Sequence, residues 1–299
     1  MLLWALLTCP ALTALCRTSA NFWRNTIDLQ PRDPLLSLEG VHAYTFRGTE
    51  VIGKFHASRR RQTALREIAF LRGLRGLGSV VQFRFCVSDR RYTAIFTERL
   101  RADLNAGLSA FQRLTLPRQL QLLLGPTRAL AALHRTGFIN GDLKPHNVMI
   151  AADGRGLKLI DFDCSARWGK GVRGYTRFYA APEVAAASRG FHANGAQDAW
   201  SWAVTVAELL VPHLRRKLKA LGGSFPPRAL QPAHVTVVRR ELNRLTRRKG
   251  SQLRVLAKCL QHDPAERPTL EEIAITLHRT IRALASKNSQ ISHFSEEKF

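Results

Sequence analysis

Polar side chains suited to phosphoryl transfer lie in two short stretches near the middle of the chain. Asp142, Lys144 and Asn147 share one loop, and Asp161 follows the next strand-like run. A carboxylate can accept the proton of an attacking hydroxyl, and an ammonium can neutralise a phosphoryl group in transit. Asn and Asp oxygens are ligands that Mg²⁺ prefers. This set of residue types indicates phosphoryl transfer from a nucleotide.

The two stretches resemble the catalytic loop and the Asp-Phe-Gly metal motif of the eukaryotic-type protein kinase superfamily, serine/threonine type. The resemblance implies that Asp142 is the catalytic carboxylate, that Lys144 neutralises the γ-phosphate and that Thr176 bridges the two. It also implies that Asn147 and Asp161 hold Mg²⁺ and that ATP is the phosphate donor.

The same resemblance assigns five nucleotide-binding residues. Lys54 ends a Val-Ile-Gly-Lys strand and would hold the α- and β-phosphates, while Glu67 on the following helix would pair with it. Glu98 and Leu100 lie in a hinge-like segment whose backbone would bond adenine, and Asp103 is placed to reach the ribose.

Three further residues resemble features of protein kinases rather than of more distant phosphotransferases. Glu183, in an Ala-Pro-Glu sequence, resembles the end of an activation segment, and Arg267 resembles its ion-pair partner. Asp198 resembles the residue that braces the catalytic loop from behind.

The chain also departs from the family pattern. Between residues 38 and 49 the expected glycine-rich loop holds only Gly40 and Gly48, and Ile52 replaces a small Ala that roofs the adenine. Gly141 stands where the family has the Arg that binds an activation-segment phosphate, so we expect activity that needs no such phosphate. Asp163 replaces the Gly of Asp-Phe-Gly and either adds a metal ligand or impedes the active geometry.

The order of sequence patterns predicts an α+β fold with two lobes. Three short strands are expected over 36–55, a helix over 60–74 and further strands over 80–87 and 92–97, and helical patterns dominate from residue 116. We therefore expect a kinase domain over 36–284, with a small β-rich N-lobe at 36–98 and a larger α-helical C-lobe at 103–284. Residues 1–35 would be a leader and 285–299 a polar tail.

The composition describes a globular but strongly basic protein. Of the 299 residues 45% are apolar, enough for a core, and the net charge at pH 7 is +24. Such a field attracts acidic protein segments, anionic lipid or nucleic acid. Few aromatic residues accompany the basic runs, so nucleic acid is not favoured, and we expect protein substrates, acidic ones preferred. The alternative is an arginine-rich surface that only faces solvent.

The N-terminal segment and the cysteines bear on the compartment. No apolar run reaches the roughly 18 residues of a membrane-spanning helix, so no transmembrane segment is expected. Residues 1–20 suit either a signal peptide or an N-terminal helix. Three later cysteines, an odd number, indicate reduced thiols and favour the cytoplasm. A secretory route is the alternative if a signal peptide is present.

Three function classes remain open at this point. An active serine/threonine protein kinase is favoured because the chemical groups are all present. A catalytically weak or inactive pseudokinase scaffold would explain the glycine-poor loop, Ile52 and Asp163. A small-molecule phosphotransferase would explain the Asn140-Gly141-Asp142 sequence, but Lys144 argues against it.

Overall fold

The computed structural model describes residues 29–31, 40–172, 174–186, 192–221, 232–249 and 253–288. Contacts divide the chain into two units: residues 1–100 with 161–163, and residues 101–160 with 164–299. Strands dominate the first unit and helices the second, so the predicted α+β class is confirmed. Most of the predicted leader and the end of the tail lie outside the described residues, and the domain boundaries at 36 and 284 stay predictions.

The first unit is built on a five-stranded antiparallel sheet. The strands are β1 Leu29–Pro31, β2 Gly40–Phe46, β3 Thr49–Ala57, β4 Phe83–Ser88 and β5 Tyr92–Glu98. They lie in the order β1-β2-β3-β5-β4. Helix α1, Arg61–Gly73, follows β3 after a short 3₁₀ turn and agrees with the predicted helix at 60–74. Its apolar residues Ala64, Ile68 and Leu71 are buried because they recur at helical spacing along one face.

Two of the three short strands predicted over 36–55 are present as β2 and β3, on either side of the predicted break near Gly48. The chain reverses there at Arg47 and Gly48, with φ of +48° and +73°. A two-residue turn with positive φ at both positions matches the twist of the strands that it joins. The strand predicted before Gly40 lies outside the described residues. The first strand lies at Leu29–Pro31, within the predicted leader. The connection between β1 and β2, residues 32–39, lies outside the described residues.

The second unit is mainly helical. Helix α5 (Gly195–Leu210) is buried along almost its whole length, with Trp200 and Trp202 at its centre, and the Asn194 side chain caps its N-terminus. Helix α3 (Leu116–Arg135) runs unbroken through Pro126 and packs against α9 (Leu270–Asn288). Among the residues that the structure describes, no helix has the length and apolarity that a bilayer crossing requires. The helices are α2 Leu108–Arg113, α3 Leu116–Arg135, α4 Pro182–Ala186, α5 Gly195–Leu210, α6 Leu214–Lys219, α7 Pro232–Lys249, α8 Arg254–Lys258 and α9 Leu270–Asn288.

Short strands flank the loop of the second unit that contains Asp142, Lys144 and Asn147, the predicted catalytic loop. Strand β6, Phe138–Ile139, leads into the loop, and β7, Val148–Ile150, leaves it and pairs with β8, Leu157–Leu159. Strand β9, Ala166–Arg167, pairs with β6. The loop is therefore held at both ends by strand pairing.

Candidate active site

In the first unit, the Lys54 ammonium is surrounded by carboxylates. Its Nζ lies 3.0 Å from Glu67 Oε2, 2.8 Å from Asp161 Oδ1 and 3.0 Å from Asp163 Oδ1. The predicted pair of Lys54 with Glu67 is thus present, joining β3 to α1. Since an ammonium has three N–H donors, the three carboxylates equal its donors in number.

Burial and charge act in opposite directions on this cluster. Burial by itself would lower the pKa of Lys54, but the charges of Glu67, Asp161 and Asp163 outweigh it and raise that pKa. Burial would likewise raise the pKa of Glu67, but the adjacent His56 imidazole and the charge of Lys54 keep that pKa below its usual range. Lys54 is therefore a permanent cation and Glu67 a permanent anion at neutral pH.

Asp163 has two cationic neighbours, which the sequence did not predict. Besides Lys54, it contacts Arg60, whose Nη2 lies 3.2 Å from Asp163 Oδ2, at the residue that precedes α1. Burial and the adjacent Glu67 carboxylate raise the pKa of Asp163. The carboxylate that replaces the family's glycine therefore connects the strand lysine with the start of α1.

His56 is the second residue of this cluster that sequence reasoning missed. It is buried, and its Nε2 lies 3.4 Å from Glu67 Oε2. Its position two residues after Lys54 on the same strand, and hence on the same face, was the available signal. His56, Glu67 and Asp163 offer ligand-type atoms within 4.8 Å of one another. Because the Lys54 ammonium already contacts both carboxylates, we do not assign a metal to these three residues.

In the second unit, Asp142, Lys144 and Thr176 form one connected group. Lys144 Nζ lies 2.6 Å from Asp142 Oδ2 and donates to Thr176 Oγ1 at 2.8 Å. The Thr176 backbone N–H donates to Asp142 Oδ1 at 2.8 Å. The three residues predicted to be catalytic are thus brought together, and each fixes the orientation of the others.

Asp198 holds the catalytic loop from behind. Its buried carboxylate accepts the backbone N–H groups of Asn140 and Gly141 at 2.7 and 2.9 Å, and it contacts His134 Nε2 at 2.9 Å. Gly141 has φ +85°, and a Cβ there would lie 2.7 Å from the carbonyl oxygen of Cys164. On this backbone only glycine is free of strain, which explains physically why no arginine stands at position 141.

The two predicted metal ligands lie in different units and are described separately. In the second unit, Asn147 Nδ2 donates to the Asp142 backbone oxygen at 2.9 Å, and the Asn147 backbone oxygen accepts the Ile160 N–H at 3.0 Å. Its amide nitrogen is thereby directed at the loop, and its amide oxygen is the atom suited to bind magnesium. In the first unit, Asp161 has φ +59°, a strained backbone of the kind found at functional sites. These oxygen donors fit Mg²⁺ by type.

The predicted adenine and ribose contacts have ordinary structural partners. The Glu98 N–H donates to the Gln82 carbonyl, and its side chain accepts the Gln82 N–H at 2.8 Å. Leu100 is buried. Asp103 Oδ1 accepts the N–H groups of residues 105 and 106 at 2.9 and 3.0 Å and so stabilises a turn. Nucleotide-binding roles for these three residues stay predictions.

The predicted pair of Glu183 with Arg267 is present in the second unit. Two hydrogen bonds of 2.6 and 2.8 Å join the guanidinium to the carboxylate in a bidentate arrangement. Arg267 is fully buried, lies 4.9 Å from the Trp200 ring centroid and also donates to backbone oxygens. This pair anchors the segment that contains α4 to the helical core.

Comparison with known proteins agrees with this arrangement. The family model described as protein kinase domain matches residues 50–277. Mitogen-activated protein kinase 14 of Xenopus laevis is 35% identical over 118 residues, 39% of this chain and 32% of that protein. Cyclin-dependent kinase D-1 of Oryza sativa subsp. indica is 29% identical over 158 residues, 50% of this chain and 36% of that protein. Cyclin-dependent kinase 17 of Caenorhabditis elegans is 28% identical over 188 residues, 58% of this chain and 28% of that protein.

The family match covers well over half of the chain, whereas the chain spans about a third of the length of the curated relatives that it matches. The match includes the Lys54 cluster, the catalytic loop and Glu183 with Arg267. The catalytic-loop lysine, Lys144, has the contacts expected of the serine/threonine type. The chain belongs to the protein kinase domain family.

Proposed function

We propose that this protein transfers the γ-phosphate of ATP to serine or threonine hydroxyls of protein substrates. The observation that carries the proposal is the connected group of Asp142, Lys144 and Thr176. It combines a carboxylate that can orient a hydroxyl, a cation that can neutralise a phosphate and a hydroxyl that fixes both. Small-molecule phosphotransfer does not call for that third group.

Each residue has a definable task in this reaction. Asp142 orients the acceptor hydroxyl and takes its proton, and Lys144 stabilises the charge on the phosphoryl group that moves. Lys54, positioned by Glu67, holds the α- and β-phosphates. Magnesium, when bound, neutralises phosphate charge, and Asn147 and Asp161 are the residues that would hold it.

One specific observation favours the alternative of a weak kinase or pseudokinase. Three carboxylates already contact Lys54, and the third, Asp163, stands where the family has a residue without a side chain. A phosphate must compete with Asp163 for the ammonium. Nucleotide binding weaker than is usual for kinases is the expected consequence.

The test is Mg²⁺-dependent transfer of radiolabelled γ-phosphate from ATP to a generic acidic protein. Lys54→Met and Asp142→Asn should each reduce the rate by about 10²-fold or more. Lys54→Met also leaves the buried Glu67 without its cation and should lower the thermal midpoint, so circular dichroism at the assay temperature checks that each variant is folded. The exposed residues Lys219 and Asp153 provide matched controls, Lys219→Met and Asp153→Asn, which should transfer at the parent rate. Transfer at the parent rate by both active-site variants would refute the assigned roles. Nucleotide-induced stabilisation without transfer would identify a pseudokinase.

A further inference from the structure

A surface cavity of the first unit is lined almost entirely by arginine and aromatic side chains, none of which belongs to the Lys54 cluster. It has a volume of about 390 Å³ and lies where the C-terminal end of α1 meets strand β4. Among the residues that the structure describes, no carboxylate lines it. The lining residues are Arg72, Arg75, Phe83, Arg84, Phe85 and Cys86.

The aromatic side of the cavity is rigid. Phe83 is buried, and the Phe85 ring stacks on Phe96 at 4.5 Å between centroids, with an interplanar angle of 16°. The Arg72 guanidinium lies 5.2 Å from the Phe83 ring centroid, within the range of a cation–π contact. At least one of the three cations is therefore held in place before any ligand arrives.

Strand β4 contributes the feature that directs a second arginine into the cavity. The pairing of β4 with β5 shifts register between Phe83 and Phe85, so Arg84 is the bulged residue, and it is exposed. Bulges re-aim side chains and mark functional edges more often than regular strands do. Strand β4 is also an edge strand in the described sheet, where an extended segment can lie alongside.

The three guanidinium groups share a concave surface without a counter-charge. Among the described residues, none of Arg72, Arg75 and Arg84 has an ion pair with a carboxylate. The helix dipole gives a structural reason for Arg72 at the end of α1, since cations are favoured there. It gives none for Arg84 on the neighbouring strand. Guanidinium groups that line one concave surface are suited to bind a phosphate dianion.

We propose that this cavity binds a phosphoserine or phosphothreonine side chain in an extended segment of a partner protein. The volume suits one phosphorylated side chain with an apolar neighbour on the Phe83 and Phe85 rings. A single concavity beside a sheet edge does not provide the long basic track that nucleic acid needs. Binding at this site does not depend on phosphate transfer, so the proposal would hold even if the protein proved to have no kinase activity.

The test measures binding of fluorescein-labelled Gly-Phe-pSer-Phe-Gly to the full chain by anisotropy at physiological salt, against the unphosphorylated twin. The parent protein should bind the phosphopeptide at least tenfold more tightly than the twin. The double variant Arg75→Ala/Arg84→Ala should lose at least tenfold of that affinity. Arg90→Ala/Arg113→Ala removes the same charge from other exposed positions and should lose less than twofold.

Location is tested separately through the half-buried Cys86 thiol, which is in no disulfide. Saturating phosphopeptide should slow iodoacetamide alkylation of Cys86 but not that of Cys164, as followed by peptide mass mapping. Equal affinity for both peptides, equal losses in the two double variants, or unaltered Cys86 alkylation would overturn the proposal. Tighter binding of a poly-dT oligonucleotide or of phosphatidylserine vesicles through the same two arginines would also overturn it, in favour of those partners.

Discussion

Replacing Asp163 by Asn should strengthen nucleotide binding, an unusual result for a charged residue beside a kinase-family lysine. The substitution keeps the size of the side chain but removes the charge that lies 3.0 Å from Lys54 Nζ. Lys54 keeps its contacts with Glu67 and Asp161, so the ammonium stays in position. One N–H donor of the Lys54 ammonium then becomes available to a phosphate oxygen.

The magnitude follows from the contact that is lost. Two unit charges 3.0 Å apart attract by about 5 kcal/mol at an effective dielectric constant near 20, which is an upper bound. A charge-assisted hydrogen bond is worth about 1.5–3 kcal/mol net. Because Lys54 keeps a 24% exposed side chain, water screens this attraction, and we expect a gain of about 1 kcal/mol, or roughly fivefold in Kd.

The assay is isothermal titration of ATP with Mg²⁺ into the parent protein, Asp163→Asn and Arg60→Ala. Among the described residues, Arg60→Ala leaves Lys54 as the remaining cationic partner of Asp163, so Asp163 should hold Lys54 more firmly and the affinity for ATP should fall. The fall should be no more than about twofold, because Arg60 is exposed to solvent. Asp153→Asn controls for the loss of one surface charge. Unchanged or weaker binding by Asp163→Asn would refute the reasoning that this carboxylate competes with phosphate.

Other perturbations test different parts of the structure. Glu183→Gln removes the charge partner of a buried guanidinium and should lower the free energy of unfolding in urea by about 3 kcal/mol; a loss below 1 kcal/mol would contradict this. Thr269 and Glu272 form a capping box at the start of α9, and Thr269→Ala removes the hydroxyl half of it while the backbone N–H of residue 269 still donates to Glu272; this should cost about 1 kcal/mol at pH 7. Hydrogen bonds from Thr269 lower the pKa of Glu272, so the capping contribution is present above the ordinary glutamate pKa and should shrink as pH falls below about 4; a constant difference would argue against it. Phosphatase treatment should leave the transfer rate within about twofold, because Gly141 offers no guanidinium to an activation-segment phosphate; a large loss would show another receptor for that phosphate.

Much of the site was predictable because it depends on local order and spacing. The predicted helix at 60–74 carries Glu67 on the buried face of α1, where helical periodicity places it. Asp142, Lys144 and Asn147 lie on one loop, so their proximity follows from the chain itself. Thr176 and Glu183 were placed only through the family resemblance, since periodicity does not bring such distant segments together.

The remaining features depend on contacts that spacing does not encode. Asp163 was recognised as a departure, but its contact with Arg60, 103 positions earlier, follows from tertiary packing. The need for glycine at position 141 follows in part from the Cys164 carbonyl oxygen, which a Cβ there would contact too closely. The strand at Leu29–Pro31 was missed because three residues with a terminal proline give no alternating pattern.

The measurement that tests the central claim most directly is single-turnover γ-phosphate transfer by Asp142→Asn saturated with ATP and Mg²⁺. The account predicts that this variant binds ATP within about twofold of the parent, while its transfer step is slowed by about 10²-fold or more. Transfer at the parent rate by Asp142→Asn, or no transfer by the parent protein to any protein acceptor, would contradict it.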